Sequence, residues 1–68
     1  MRYLEAMVQA YSGSRIALAE WFDGTSYTAE VYADESNVLR CDSGELLGAL
    51  WVASTAEQQA STWVVVPA

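Results

Sequence analysis

Between Arg15 and Ala33 apolar and polar positions alternate with a period of two on either side of Asp23-Gly24. Both central positions of a two-residue hairpin loop favour positive φ, so Asp-Gly between runs rich in β-branched and aromatic residues predicts a hairpin of strands over 15–22 and 26–33. With those two residues as the loop, Phe22 faces Thr25, Ile16 faces Val31, Leu18 faces Ala29 and Glu20 faces Tyr27. One face is then aliphatic. The other carries Arg15, Ala17, Ala19 and Trp21 beside Thr28, Glu30 and Tyr32, and a slip of one residue would mix the two sets.

Residues 2–11 fit two periods. As a strand over 3–11, Leu4, Ala6, Val8 and Ala10 point one way, and a three-residue loop at Ser12-Gly13-Ser14 continues them into the aliphatic face. As a helix, Arg2, Glu5, Gln9 and Ser12 make a polar stripe at three- and four-residue spacing. The short loop favours the strand, because a meander closes at once while a helix needs room to turn back. Val38–Cys41 reads as a short strand over 38–41. Asp42, followed three residues later by Glu45, has the spacing of a capping box and predicts a helix over 43–58, with Leu46, Leu47, Leu50, Trp51 and Ala53 as its buried stripe. Ala49 and Val52 leave the rest of that helix uncharged until Glu57, which is unusual for a helix packed on one sheet. A last strand over 62–66 ends at Pro67. The expected fold is α+β: one domain over 1–68, a small antiparallel meander of three to five strands, and one main α-helix packed on one face.

Composition narrows the chemistry. Hydrophobic residues make up 53% of the 68 and charged residues 18%, which argues for a folded chain rather than a disordered one. There is no His and no Lys, which removes the usual neutral-pH general base, the commonest metal ligand, Schiff-base chemistry and the phosphate-loop lysine. The carboxylate pairs Asp34-Glu35 and Asp42 with Glu45 are the available acid–base candidates, but a turn and a helix cap account for them, and so short a chain has little room for a substrate cleft. Asp34, Glu35 and Asn37 lack the spacing of a calcium loop, and Cys41 is the one thiol, read as a small buried apolar residue. No enzyme activity, metal or other cofactor is expected. A single cysteine, an acid at position 5 and the absence of a long apolar run predict a cytoplasmic protein, neither secreted nor inserted in a membrane.

Three Arg against nine Asp and Glu give a net charge of −6, which disfavours direct binding of nucleic acid and favours basic partners. Carboxylates two residues apart on one face of a strand lie about 6.7 Å apart, the scale of neighbouring backbone phosphates. Glu30, Asp34 and Glu35, with Asp23 at the hairpin tip and Glu5 near the face of Glu30, are therefore candidates for binding a basic surface. Solubility alone also accounts for such a charge. In the strand reading Tyr3, Met7, Tyr11, Trp21 and Tyr32 share the non-aliphatic face, and Trp21 and Tyr32 become the candidate aromatic anchors.

A small acidic chain that begins Met1-Arg2-Tyr3, passes through Ile16-Ala17-Leu18-Ala19-Glu20 and Asp23-Gly24, and opens a helix at Asp42-Ser43 resembles the small phage-borne anti-CRISPR proteins. That resemblance covers the layout of most of the chain. It implies a meander-plus-helix fold and a non-enzymatic inhibitor that acts as an acidic decoy, occupying the DNA-binding surface of a Cascade-type CRISPR complex subunit of type I systems. No contact residue carries over by position. The uncharged stretch Leu46–Ala56 departs from what a purely electrostatic decoy needs and keeps a second expectation open: a structural, oligomerisation or protein-interaction module, monomer or homodimer, using its aromatic sheet face and uncharged helix.

Overall fold

Helix α1 (Tyr3–Tyr11) opens the chain, followed by β1 (Arg15–Leu18), a 3-10 turn at Ala19–Trp21, β2 (Ala29–Ala33), β3 (Leu39–Ser43), β4 (Leu46–Leu50), the short helix α2 (Thr55–Gln59) and β5 (Trp63–Val66). These elements belong to a computed structural model, which describes residues 1–67. The strands form one antiparallel-paired sheet in the order β4-β3-β2-β1-β5, so β4 and β5 are its two edges. The α+β class, the sheet and the single main helix are as the sequence leads one to expect. The segment that supplies the helix is not.

Residues 3–11 are helical because Tyr3, Ala6, Met7 and Ala10 recur at the i, i+3, i+4, i+7 positions of one face. Ala6 and Ala10 are buried, and their small side chains let the helix lie close on the sheet, where it packs across β1, β2 and β5. Turning back takes only three residues. Ser12 N–H bonds both Val8 and Gln9 oxygens at 3.1 Å, and Ser14 N–H returns to Gln9 O at 3.0 Å. The expectation that a helix needs a longer connection is thereby corrected.

The core lies between α1 and the sheet: Ala6, Ala10, Ile16, Leu18, Val31 and Trp63. Trp63 is fully buried at its centre, with ring centroids of Trp21, Trp51 and Tyr3 at 5.5, 5.9 and 6.3 Å. Its indole N–H donates to Glu57 O at 3.0 Å, which ties α2 to β5. The expected Ile16–Val31 register is present. At the hairpin tip, however, Phe22 pairs with Tyr27 rather than Thr25, since the 3-10 turn absorbs two extra residues on the first strand. That turn packs Trp21 against the core. Tyr3 and Met7 also pack against the core, so the aromatic sheet face expected from the strand reading does not form.

No helix spans 43–58. Ser43 pairs with Leu46 across a tight Gly44-Glu45 turn, and Gly48 sits at φ +71 where β4 bulges opposite Asp42. A left-handed residue in the middle of the segment is incompatible with a continuous right-handed helix. Asp42 still accepts a backbone N–H, as a cap would, but from Gly48 at 2.7 Å. The true capping box is later: Ser54 Oγ accepts from Glu57 N at 3.2 Å, and the Glu57 carboxylate accepts from Ser54 N at 2.8 Å, opening α2.

Candidate protein-binding surface

The sheet face away from α1 carries an alternating charge network. Arg15 Nε donates to Glu30 at 2.6 Å, its Nη2 donates to Asp42, and the guanidinium lies over the Tyr32 ring, 4.4 Å from the centroid. The Tyr32 hydroxyl reaches Asp42 at 3.4 Å. Arg40 Nε donates to Asp34 at 3.1 Å and its Nη1 to Gly48 O at 3.3 Å. Burial opposes the Arg15 charge, but the hydrogen bonds it donates to its two carboxylates win and raise its pKa. Arg15 and then Gly48 N–H hold the Asp42 carboxyl below the usual carboxylate range. Both cations of this face are thus spent on its own acids, leaving a small net charge.

The residues singled out in the sequence are dispersed. Glu30 and Tyr32 meet on the open face, with Asp34 at the end of the same strand and Glu35 exposed beside it. The Asp34 carboxylate accepts from Ser36 N–H at 2.8 Å and Val38 N–H at 3.0 Å, and with Arg40 these bonds lower its pKa, Val38 contributing most. Asp23 sits at the other end of β2, where it accepts from Ser26 and Thr25 N–H at 2.9 and 2.8 Å, and both bonds lower its pKa. Glu5 lies on α1, across the sheet from Glu30, and accepts from Arg2 N–H at 3.1 Å. Trp21 is half-buried against the core, edge-on to Trp63. Cys41 is half-buried in β3, where desolvation first, and the Asp42 charge second, push its thiol pKa up.

Of the expected buried stripe, Trp51 packs against the core, but Leu46, Leu47 and Leu50 lie outside, 65%, 71% and 69% exposed, next to Val52, expected on the outer surface and 87% exposed. The cause is topological. Helix α1 covers β1, β2 and β5, and β4 lies beyond its reach at the sheet edge. Leu50 pairs with Arg40 and so shares the open face, while Ala49 pairs with Cys41 on the helix side. A second exposed stripe, Leu4, Val8 and Tyr11, runs along α1 at i, i+4 and i+7. Gly44 and Gly48, four apart with one just before the apolar run and one inside it, were the signal that a strand pair was a better reading than a helix.

No protein-family model, curated protein or solved structure matches the chain. Among the described residues no three His, Cys, Asp or Glu side chains converge at metal-binding distance, and no helix is long and apolar enough to cross a membrane. The arrangement offers exposed apolar side chains on an uncharged sheet edge, beside an ion-paired face.

Proposed function

We propose that the chain is a non-enzymatic protein-interaction module whose contact surface is β4 and the residues that follow it. One observation carries the reading: four large apolar side chains, Leu46, Leu47, Leu50 and Val52, stand exposed in a run of eleven uncharged residues within a chain of net charge −6. Interface centres are depleted of charge, and large apolar side chains left in water along one sheet edge are a ready contact for another protein. Burying an exposed Leu or Val is worth about 1.5–3 kcal/mol, so four that are 65–87% exposed supply at most about 6–12 kcal/mol, the same order as an association cost of roughly 4–15 kcal/mol. The fitting complex is one of moderate affinity.

A photo-reactive residue at Val52, with another at Gln9 on the polar side of α1 as control, tests the surface in cells. Cross-linking from position 52 and not from position 9 supports the reading; the reverse pattern, or none, contradicts it.

A second reading keeps the anti-CRISPR resemblance: an acidic decoy for a basic nucleic-acid-binding surface such as a Cascade-type subunit. It is favoured by one groove, in which Asp23, Glu30 and Asp42 face a single Arg15. Binding of this kind weakens steeply with salt, whereas the apolar contact does not.

A further inference from the structure

We infer that β4 is a latched strap: Leu46–Leu50 lifts off the sheet as a unit while the rest of the fold stays closed, and the side chains of Asp42 and Arg40 on the Gly48 peptide are its latch. The inference is independent of the contact reading above and stands whether or not a partner binds there. Its first support is what holds each strand. β1, β2 and β5 pack under α1, where Ile16, Val31 and Trp63 are fully buried. β4 is an edge strand beyond the helix, paired to β3 alone among the described residues. The core and the side chains packed on it include Leu39 and Cys41 of β3 and also Trp51, but none of Leu46–Leu50. Lifting those five residues therefore leaves the core intact, whereas moving any other strand opens it. A segment with few buried apolar contacts opens at a lower free energy than the whole molecule.

The second support is the backbone. Gly48 lies where the β3–β4 register shifts between Cys41 and Ser43, so the ladder is interrupted midway. Side chains take the place of the missing rungs. Gly48 N–H donates to Asp42 at 2.7 Å, Arg40 Nη1 donates to Gly48 O at 3.3 Å, and the Tyr32 hydroxyl stands over the same glycine. Both latch residues are themselves held, Asp42 by Arg15 and Arg40 by Asp34 at 3.1 Å. The two ends of the strap differ. At one, Gly44 with φ +58 makes the tight turn from β3. At the other, the Trp51 ring stays on Trp63, with centroids 5.9 Å apart, and Trp51 N–H donates to Leu39 O at 3.1 Å. The segment thus has a turn at one end, an anchor at the other and a polar latch between them. Opening uncovers the β3 backbone at Cys41, which pairs with Ala49 when the strap is closed. Anything that engages Asp42 or Arg40 in one state only shifts the balance between the two.

Native-state hydrogen exchange, read by NMR over a series of low urea concentrations, tests this on the unmodified chain. Relative to their intrinsic rates, the Gly48 and Ala49 amides should exchange at least about a hundredfold faster than those of Ile16 and Val31. Their exchange should also depend little on urea, because lifting five mostly exposed residues uncovers little surface. Arg40→Met removes the donor to Gly48 O and should speed Gly48 and Ala49 at least about threefold relative to Ile16 and Val31. Gly48 and Ala49 amides that exchange no faster than Ile16 and Val31, with the same urea dependence, overturn the inference. So does an Arg40→Met effect that is absent or shared equally by all four amides. Should that variant fail to fold, the urea dependence in the parent decides alone. Failure of Val52 to cross-link a partner removes the contact surface and leaves the exchange result untouched.

Discussion

Replacing Trp63 by Ala should remove a large share, or all, of the protein's stability. The side chain is fully buried and touches three other aromatic rings at centroid distances of 5.5 to 6.3 Å. Removing a buried Trp costs about 3–5 kcal/mol through lost transfer energy and the cavity left behind. Loss of the indole bond to Glu57 O falls within that range rather than adding fully to it. A chain of 68 residues has a total stability of roughly 3–10 kcal/mol, so the substitution takes a large share of it or all of it. Trp63→Phe keeps a ring among Tyr3, Trp21 and Trp51 and gives up volume and the N–H donor. It should cost about 1–3 kcal/mol, short of the alanine variant. Urea unfolding followed by far-ultraviolet circular dichroism reads both, without relying on the fluorescence of the residue removed. An alanine variant within about 1 kcal/mol of the parent would refute the placement of the core.

Gly48→Ala should cost about 1–2 kcal/mol through its φ of +71, because the new Cβ would meet only the Tyr32 hydroxyl, at an ordinary 3.7 Å. A neutral result in urea unfolding would contradict the bulge. Arg15→Met removes the leading cause of the lowered Asp42 pKa, so that carboxyl should titrate nearer its ordinary value, read by carbon-13 NMR; no movement would contradict the ion pair. The lowered folded-state pKa values of Asp23, Asp34 and Asp42 contribute stability that is complete above the unfolded value near about pH 4 and lost as pH falls through the folded values. Acid titration of the parent should therefore show unfolding only below that range, with the onset moved to higher pH in Arg15→Met.

The legible parts of the fold were those fixed by neighbouring residues. Ile16 opposite Val31 follows from alternation alone, as does the terminal strand before Pro67. Two segments misled for specific reasons. Along residues 3–11, Leu4, Ala6, Val8 and Ala10 satisfy a period of two, yet Tyr3, Ala6, Met7 and Ala10 satisfy the helical period and bury better. At Asp42 the cap-like spacing to Glu45 was real as chemistry, since Asp42 does hold a backbone N–H, but the donor is Gly48 in a bulge. Which acids pair with which Arg is a property of strands brought together across β2, and no local pattern announces that Arg15 reaches both Glu30 and Asp42. The exposed edge follows from where α1 ends its cover, which is a tertiary fact. Its composition was visible beforehand as the one long stretch without charge.

Apolar contact at β4, rather than the acids, is the proposed basis of binding. Cross-linking from Val52 can be compared in the parent, in Leu47→Lys with Leu50→Lys, and in Asp23→Lys with Glu35→Lys, all confirmed folded by circular dichroism. The leucine variant should lose most of the cross-linked product and the acid variant should keep it. Product that survives the leucine changes and disappears with the acid changes would contradict the account.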